Sequence, residues 1–470
     1  MGSAPAAWSA DVSMIHSVQT SLTYTDNVDL DPDDEAEDAI IWTNTGATSI
    51  RATGARAEAA LDAALSLDTE FADDTDVEVR PNARGIGTVE LLQSHLFVDG
   101  QASAFLALEN PFSAVSTSPG SGRDDLSEVY TVGVSPYWIQ GFGNWANSEL
   151  RYRHNRTYFR DNDDDGDDGT DSTITNAASL RTVTGSRFAR IQLGNDLEYE
   201  NVESDGRDGD LERKTALLSG QYALTRWFLP VGTVGYEKIE SDDLRDDPEG
   251  LVWNAGFIAR PGPRSELEFR YGERYEEQNI FASARYLISP RLTFQASYTE
   301  VLDITGAAIG RQAFNLTVDE QGRLIDPATG LPVEDIDDFL GLEDEAFLAH
   351  RFQASLSGSY ERSDFVLAAV YEERDFDFRP DEKLLTTSAR WTYALTPDTR
   401  LGVLGGYRTA ETDVSGGLDT ETVLGRLQLT HNLAQNLQAL AAYSYAQRFA
   451  DDENDEYTEN AVTLGLRVTF

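Results

Sequence analysis

Apolar and polar residues alternate along much of this chain, and a period of two predicts long β-strands. The pattern is clearest at the end of the chain, where one parity is apolar: Val462, Leu464, Leu466, Val468 and Phe470. The other parity is polar or small: Thr463, Gly465, Arg467 and Thr469. Such a strand has one apolar and one polar face, as the wall of a transmembrane barrel requires. The alternative is an edge strand of a soluble β domain.

The same alternation recurs in 291–300, 385–395 and 437–445, between connections of two length classes. A soluble β-sandwich also alternates, but it does not favour strands of about ten residues with short turns at one end and long loops at the other. We therefore predict an all-β fold, a transmembrane antiparallel up-and-down β-barrel of about 22 strands, within a range of about 18 to 24. Short periplasmic turns and long acidic extracellular loops would connect the strands.

Pro and Gly mark the short turns, for instance at 260–264, 289–291 and 396–399. Tyr222, Tyr286 and Tyr393 each stand near the end of a segment that runs into such a turn. Tyrosine is enriched where a membrane meets water, so these three residues are expected at the bilayer interface.

Composition and charge narrow the class of protein. The chain has 470 residues, no cysteine and a net charge of -45. Disulfides and thiolate metal sites are therefore excluded, and a nucleic-acid partner is not expected because its phosphates would be repelled. The acidic runs lie between the alternating segments, at 31–38, 161–171, 203–210, 240–249 and 451–456. This distribution fits loops on a cell surface or, equally, the solubility needs of a saline habitat.

The predicted domain organisation is simple. Residues 1–12 are a tail or a mature start, without the charged and apolar regions of a secretory signal, and 13–470 form one barrel. No TonB-dependent plug is expected before the barrel, and hence no active siderophore-type uptake. The longest connection, 302–345, would fold inward as a constriction or cap the outer mouth. Residues 89–96 are ambiguous between a strand and a short helical turn.

Charged residues on the parity opposite to the apolar one are the candidates for lining the lumen. They are Glu149, Arg151, Arg153, Arg190, Glu198, Glu266, Glu268, Arg270, Arg285, Arg390, Arg426 and Arg467. Acidic and basic members on neighbouring strands, such as Glu266 and Glu268 opposite Arg285, can pair across the ladder. The set indicates either a polar conduit that selects solutes or a structural network that only satisfies a polar lumen.

Two short motifs suggest binding partners. Thr463, Gly465, Val468 and the terminal Phe470 resemble the signal by which outer-membrane barrels are handed to the barrel assembly machinery. Asp161, Asp163 and Asp165, followed by Gly166, have the opening spacing of a calcium loop, with oxygen donors at alternate positions. Position 12 of that loop would be Ser172 instead of glutamate, so the alternative is a solvated acidic tip. Apart from this Ca²⁺, no cofactor is expected.

An enzyme is not expected. The five histidines are scattered along the chain, and none belongs to a nucleophile, metal or acid–base motif.

Several segments resemble one family. The opening Ser21–Pro32, with its Tyr24–Asn27 core, is similar to the start of barrel proteins found with exopolysaccharide loci and the exosortase (PEP-CTERM) sorting system of Gram-negative bacteria. The segments 89–104, 135–155 and 270–278 follow in a similar order. The resemblance implies a bacterial outer-membrane barrel tied to the export of polysaccharide or another surface glycan, and it carries no established functional residues.

Two functions follow from these observations. The first is a passive channel or exit conduit for exopolysaccharide or another surface glycan. The second is a structural scaffold with a plugged lumen, whose acidic loops bind divalent cations, glycans or other barrels. In both, the partners would be outer-membrane lipid and lipopolysaccharide, the barrel assembly machinery, and polysaccharide or export-system proteins. Nothing in the sequence indicates the oligomeric state.

Overall fold

The structure is a computed structural model, and its description covers 10–72, 75–123, 126–160, 170–205, 209–315, 317–318, 324–326, 331–332, 342, 345–413 and 419–470. Asp161, Asp163 and Asp165 lie outside the described residues.

The chain forms a 22-stranded antiparallel sheet that closes on itself. The first fifteen strands are β1 (Ala10–Thr25), β2 (Ala39–Gly54), β3 (Ala57–Phe71), β4 (Thr75–Leu92), β5 (Leu96–Leu108), β6 (Leu126–Gly141), β7 (Ala146–Arg160), β8 (Thr170–Thr184), β9 (Ile191–Asp205), β10 (Leu211–Tyr222), β11 (Phe228–Ser241), β12 (Glu249–Gly262), β13 (Ser265–Arg274), β14 (Glu277–Ser289) and β15 (Leu292–Asp303). The remaining wall strands are β19 (Phe347–Tyr360), β20 (Ser363–Asp375), β21 (Glu382–Thr396), β22 (Thr399–Thr412), β23 (Thr420–Ala434), β24 (Leu437–Ala450) and β25 (Tyr457–Thr469). Each pairs with its neighbour in the chain, β15 pairs with β19, and β25 pairs with β1. The predicted fold class and strand number are confirmed.

The seam between β1 and β25 explains part of the terminal motif. The backbone N–H of Phe470 donates to the carbonyl of His16 over 2.8 Å, which holds the last residue against β1. A Cβ on Gly465 would lie 2.9 Å from the Cβ of Ser21 on the facing strand. Glycine therefore lets the two closing strands approach, independently of any role in assembly.

The barrel has two rims that differ in their connections. The short-turn rim carries the start of β1, the end of β25 and the turns after even-numbered strands of β2–β14, such as 263–264 and 290–291. In the sequence, all five acidic runs stand at connections between strands that meet at the loop rim. The predicted segregation of charge is therefore present, although two loop-rim connections, 72–74 and 275–276, are short.

The outward face of the wall is apolar. Leu218, Leu251 and Leu464 are 63%, 63% and 60% exposed, and their neighbours in sequence face the lumen because side chains alternate along a strand. Tyr222 and Tyr286 are also exposed, at 40% and 49%. Apolar side chains thus lie outside, as a lipid environment favours.

The described residues outside the wall strands include one helix and a small second sheet. The connection 304–346 contains the helix α1 (Thr305–Asn315) and a small sheet of β16 (Thr317–Val318), β17 (Leu324–Asp326) and β18 (Leu331–Pro332). A short 3-10 turn spans Glu453–Asp455. Within the described part of the chain, no helix is long and apolar enough to cross a membrane.

The element boundaries refine two expectations. β1 begins at Ala10, three residues inside the predicted tail. The ambiguous 89–96 stretch is strand as far as Leu92 and turns at 93–95 before β5.

Candidate functional site: the lumen and its two inward segments

The predicted lumenal residues lie on the inward parity of the wall. Eleven of them occupy strand positions that alternate with exposed apolar side chains: Glu149, Arg151, Arg153, Glu198, Glu266, Glu268, Arg270, Arg285, Arg390, Arg426 and Arg467. Arg190 instead lies in the connection before β9, where it is exposed at the short-turn rim.

Most of these charges belong to ion pairs. Arg151 contacts both Asp99 and Glu149 over 2.7 Å, and its guanidinium carbon lies 3.8 Å from the centre of the Tyr137 ring. Arg153 lies 3.6 Å from Glu198. These pairs connect β5, β6, β7 and β9 across the ladder, as cross-strand pairs do.

The pairing expected for Arg285 differs in detail. Glu266 stands opposite Arg285 in the β13–β14 register, but its carboxylate lies 2.6 Å from Arg260 on the other neighbouring strand. Glu268 is paired with Arg270 on its own strand, also over 2.6 Å. Parity therefore predicts the face of a side chain, whereas the choice of partner depends on side-chain reach.

Lumenal charges near the short-turn rim are open to solvent. The side chains of Arg181 and Asp196 are 64% and 29% exposed, and those of Arg260 and Glu266 are 46% and 51% exposed. Since all four point into a closed wall, this exposure requires free volume inside the barrel. Exposed pairs of this kind contribute little to stability.

The loop-rim half of the lumen is different, because two segments fold into it. The first, which we call the strap, is residues 109–123 between β5 and β6. Its polar and apolar contacts reach β22–β25 on one side and β2–β4 on the other. It therefore follows the inner wall across the seam rather than projecting from the rim.

Wall side chains hold the strap by its backbone. Arg408 donates to the carbonyls of Pro111 and Ser113, and Arg426 donates to that of Thr117. The hydroxyl of Tyr457 accepts from the N–H of Val115 over 3.0 Å and donates to its carbonyl over 2.6 Å. These hydrogen bonds satisfy backbone groups of a loop that lies inside the barrel, which is the condition for burying it.

The end of the strap carries one charge. Arg123 is paired with Glu70 over 2.7 Å and with Glu78 over 2.8 Å. Burial opposes its ionisation, but the hydrogen bond and charge of Glu78 and the charge of Glu70 outweigh burial and raise the pKa of Arg123. The guanidinium therefore stays charged and fixes the strap to β3 and β4.

In the middle of the strap, hydroxyl groups donate to a buried carboxylate of the wall. Glu459 is 0% exposed and accepts hydrogen bonds from Thr25, over 2.9 Å, and from Ser116. The strap thus supplies one of the donors that this carboxylate needs inside the wall.

The second inward segment is α1, which we call the lumenal helix. A Cβ on Gly306 would lie 2.6 Å from the Thr173 hydroxyl, and one on Gly310 would lie 3.0 Å from the Asn155 amide nitrogen. Small residues therefore let the helix approach β7 and β8. The Thr157 hydroxyl donates to the carbonyl of Gly306 over 3.3 Å. The connection 302–345 was expected either to fold inward or to cap the outer mouth, and its residues 305–315 fold inward.

One charged group anchors the lumenal helix. Arg311 lies 2.6 Å from Glu200 and also contacts Asp303. Burial opposes its ionisation, but the charges of Asp303 and Glu200 outweigh burial and raise the pKa of Arg311. Arg213 donates to the same Glu200 over 3.0 Å. Next to this network, Ile304 and Ala307 pack in an apolar cluster with Val202, Leu211, Ile239, Leu302 and Ala346.

Several residues of the site were not predicted from the sequence, above all those of the strap. A signal was present, because 110–123 contains no acidic residue and is rich in Ser, Gly and Pro, unlike the other long connections. Two deeply buried charges, Glu372 and Arg374, also fit the lumenal parity but were not predicted. Their side chains are 1% and 2% exposed, and 2.7 Å separates them.

The calcium hypothesis concerns residues outside the described part of the chain. Within that part, no group of three or more His, Cys, Asp or Glu side chains could hold a metal ion.

Comparison with known proteins supports the barrel class. No protein-family model matches the sequence, and no curated protein matches it. Among solved structures, the siderophore receptor PirA from Acinetobacter baumannii is similar, with a TM-score of 0.50 and 9% identity over 97% of this chain and 80% of that one. The apoprotein form of the FrpB iron transporter (F5-1 variant) from Neisseria meningitidis has a TM-score of 0.51 and 8% identity, covering 97% and 81%.

The open form of the ferric-catecholate import receptor Fiu from E. coli K12 gives the same values: a TM-score of 0.51, 8% identity, and coverage of 97% and 81%. At this identity the likeness shows the fold alone. The chain is an outer-membrane-type β-barrel with a channel-like architecture. All three similar proteins are described as receptors or transporters.

Proposed function

We propose that this chain is an integral barrel of the bacterial outer membrane that acts as a constricted passive conduit for polar solutes. The observation that carries this proposal is the exposure of lumenal ion pairs near the short-turn rim, such as 64% for Arg181 inside a closed wall. A lumen filled with protein would bury these charges. The interior there forms a vestibule, and the strap and the lumenal helix narrow the half beyond it.

The proposed cargo is exopolysaccharide or another surface glycan. The family resemblance of 21–32 and the later segments supports this cargo, and the mixed charges of the vestibule suit a hydrated, polar polymer. The acidic loop rim would face the cell exterior among lipopolysaccharide, where divalent cations bridge acidic groups. The terminal motif would address the chain to the barrel assembly machinery.

Conductance of single channels in planar bilayers tests this proposal. The full chain is expected to give stable openings, and replacing 305–344 by a short Gly-Ser linker is expected to enlarge them. Reversal potentials in a salt gradient then report ion preference, and added neutral oligosaccharide should block the current if a glycan enters. Silence from a folded, heat-modifiable barrel, both with and without 305–344, would contradict a conduit.

A scaffold with a closed lumen is the second candidate, and the strap favours it. Its backbone is bonded to three wall side chains, Arg408, Arg426 and Tyr457, as expected of a permanent closure. Folded barrels that never conduct but bind Ca²⁺ or glycan at the loop rim would support this function instead.

A further inference from the structure

We propose that two turns of the short-turn rim form a binding site for the headgroup of an anionic phospholipid. The turns are 142–145 between β6 and β7 and 185–190 between β8 and β9. The proposal rests on the membrane location proposed above, but it concerns the outer surface of the barrel and not its lumen.

The two turns are locked together by their backbones. The N–H of Gly185 donates to the carbonyl of Trp145 over 2.6 Å, and the N–H of Arg187 donates to that of Asn144 over 3.0 Å. A Cβ on Gly185 would lie 2.5 Å from the Asn144 carbonyl oxygen, so glycine is required for this approach. The turns therefore present their side chains as one fixed surface.

That surface combines aromatic rings with a cation. The Arg187 guanidinium carbon lies 3.8 Å from the centre of the Trp145 ring, and the Phe188 ring meets Trp145 edge-on at 6.0 Å. Phe142, Trp145 and Phe188 are nevertheless 55%, 52% and 40% exposed. Leu150 and Ile191, on the outward face of the adjoining strands, continue the apolar surface toward the middle of the wall.

The positive charge of this surface is not neutralised. Arg187 is exposed, and its guanidinium forms no ion pair with a carboxylate of the described residues. Guanidinium groups bind phosphate through paired N–H donors, and aromatic rings favour the headgroup level of a bilayer. An anionic phospholipid satisfies both parts at once, with its phosphate at Arg187 and its acyl chains along Leu150 and Ile191.

Native mass spectrometry of the full chain in detergent tests the site, with dioleoylphosphatidylglycerol and dioleoylphosphatidylcholine as probes. The unmodified barrel is expected to retain the anionic lipid more tightly. The variant Arg187→Gln should weaken that binding by about fivefold, because one basic residue near an anionic surface contributes on the order of fivefold. Binding of phosphatidylcholine should change little.

Arg291→Gln is the matched control, because Arg291 is an exposed arginine of another short turn on the same rim. Equal retention of the two lipids by the unmodified barrel, or an equal loss in the control, would overturn the proposal. If Arg187→Gln does not give a heat-modifiable barrel, Arg187→Lys is tested instead. Lysine keeps the charge but loses the paired N–H donors, so it is expected to retain the anionic lipid less tightly than the unmodified barrel does. Conductance is measured separately, so a silent barrel with selective lipid binding would contradict only the conduit.

Discussion

The strap and the lumenal helix both enter the loop-rim half of the barrel, but they are held in opposite ways. Arginine and tyrosine side chains of the wall hold the strap by donating to its backbone, at Pro111, Ser113 and Val115 among others. The lumenal helix satisfies its own backbone and is held by small-residue packing and by Arg311. An irregular segment needs many partners for burial, whereas a helix needs few.

This difference bears on which segment can move. Displacing the strap breaks bonds to several strands at once and leaves buried donors on the wall without partners, at a cost of about 1–3 kcal/mol for each such group. Displacing the helix breaks one charged network and a limited apolar contact. We therefore expect the strap to be the permanent constriction and the lumenal helix to be the part whose release alters the conduit.

Arg311→Ala should have the largest effect. It leaves Glu200, whose side chain is 3% exposed, with Arg213 as its remaining cation in the network described above. Removing one partner of a buried pair costs about 3–5 kcal/mol. Hydrogen exchange of the amides in 305–315 should accelerate accordingly, and single-channel conductance should rise.

Arg181→Ala is the control for that experiment, because it also removes a lumenal arginine from an ion pair. The Arg181 side chain is 64% exposed, so the variant is expected to lower the free energy of unfolding by about 1 kcal/mol or less. Unchanged exchange of the helix amides in the Arg311→Ala barrel would show that apolar packing, and not the charge, holds the helix.

Arg123→Ala should have a smaller effect on the strap. Its partners Glu70 and Glu78 are 15% and 29% exposed, so water can solvate them when the guanidinium is lost. We expect the free energy of opening the strap to fall by about 1–3 kcal/mol, measured as faster hydrogen exchange of the amides near residue 123. Arg51→Ala, which removes the pair with Asp62 elsewhere on the wall, should leave the strap unchanged. If the two variants behave alike, Arg123 does not anchor the strap.

The comparison also shows what the sequence could predict. The alternation of apolar and polar residues was sufficient to predict the barrel and its strand number. It also predicted that residues such as Arg151 and Arg467 face inward, because a strand fixes side-chain direction through its period of two. It was insufficient for the strap, since an irregular segment has no period. Its partners are scattered along the chain, and Tyr457 is 342 positions from Val115. Arg190 satisfies the parity of β9 but precedes the strand, so parity alone did not give its position.

Tyr457→Phe should weaken the middle of the strap. The variant keeps the ring but leaves the N–H and C=O of Val115 without their partner. The expected cost is about 1–3 kcal/mol, measured as faster exchange of the strap amides. Tyr443→Phe is the matched control, because that hydroxyl donates to Asn460 on the exposed outer side of the wall. Equal exchange in both variants would mean that the bonds of Arg408 and Arg426 suffice to fix the strap.

Gly306→Ala should have the smallest effect, because two terms oppose each other. The added Cβ would meet the Thr173 hydroxyl at 2.6 Å, and overpacking of this kind costs about 1–3 kcal/mol. Alanine also favours the helix by about 1 kcal/mol over glycine, which leaves a net loss of about 0–2 kcal/mol. Gly46→Ala, where a Cβ meets nothing within 4 Å, controls for the loss of a glycine. Slower hydrogen exchange of the helix amides in the Gly306→Ala barrel would mean that Thr173 on β8 moves to accommodate the added methyl group. The approach of helix to wall would then be set by Arg311 rather than by steric fit.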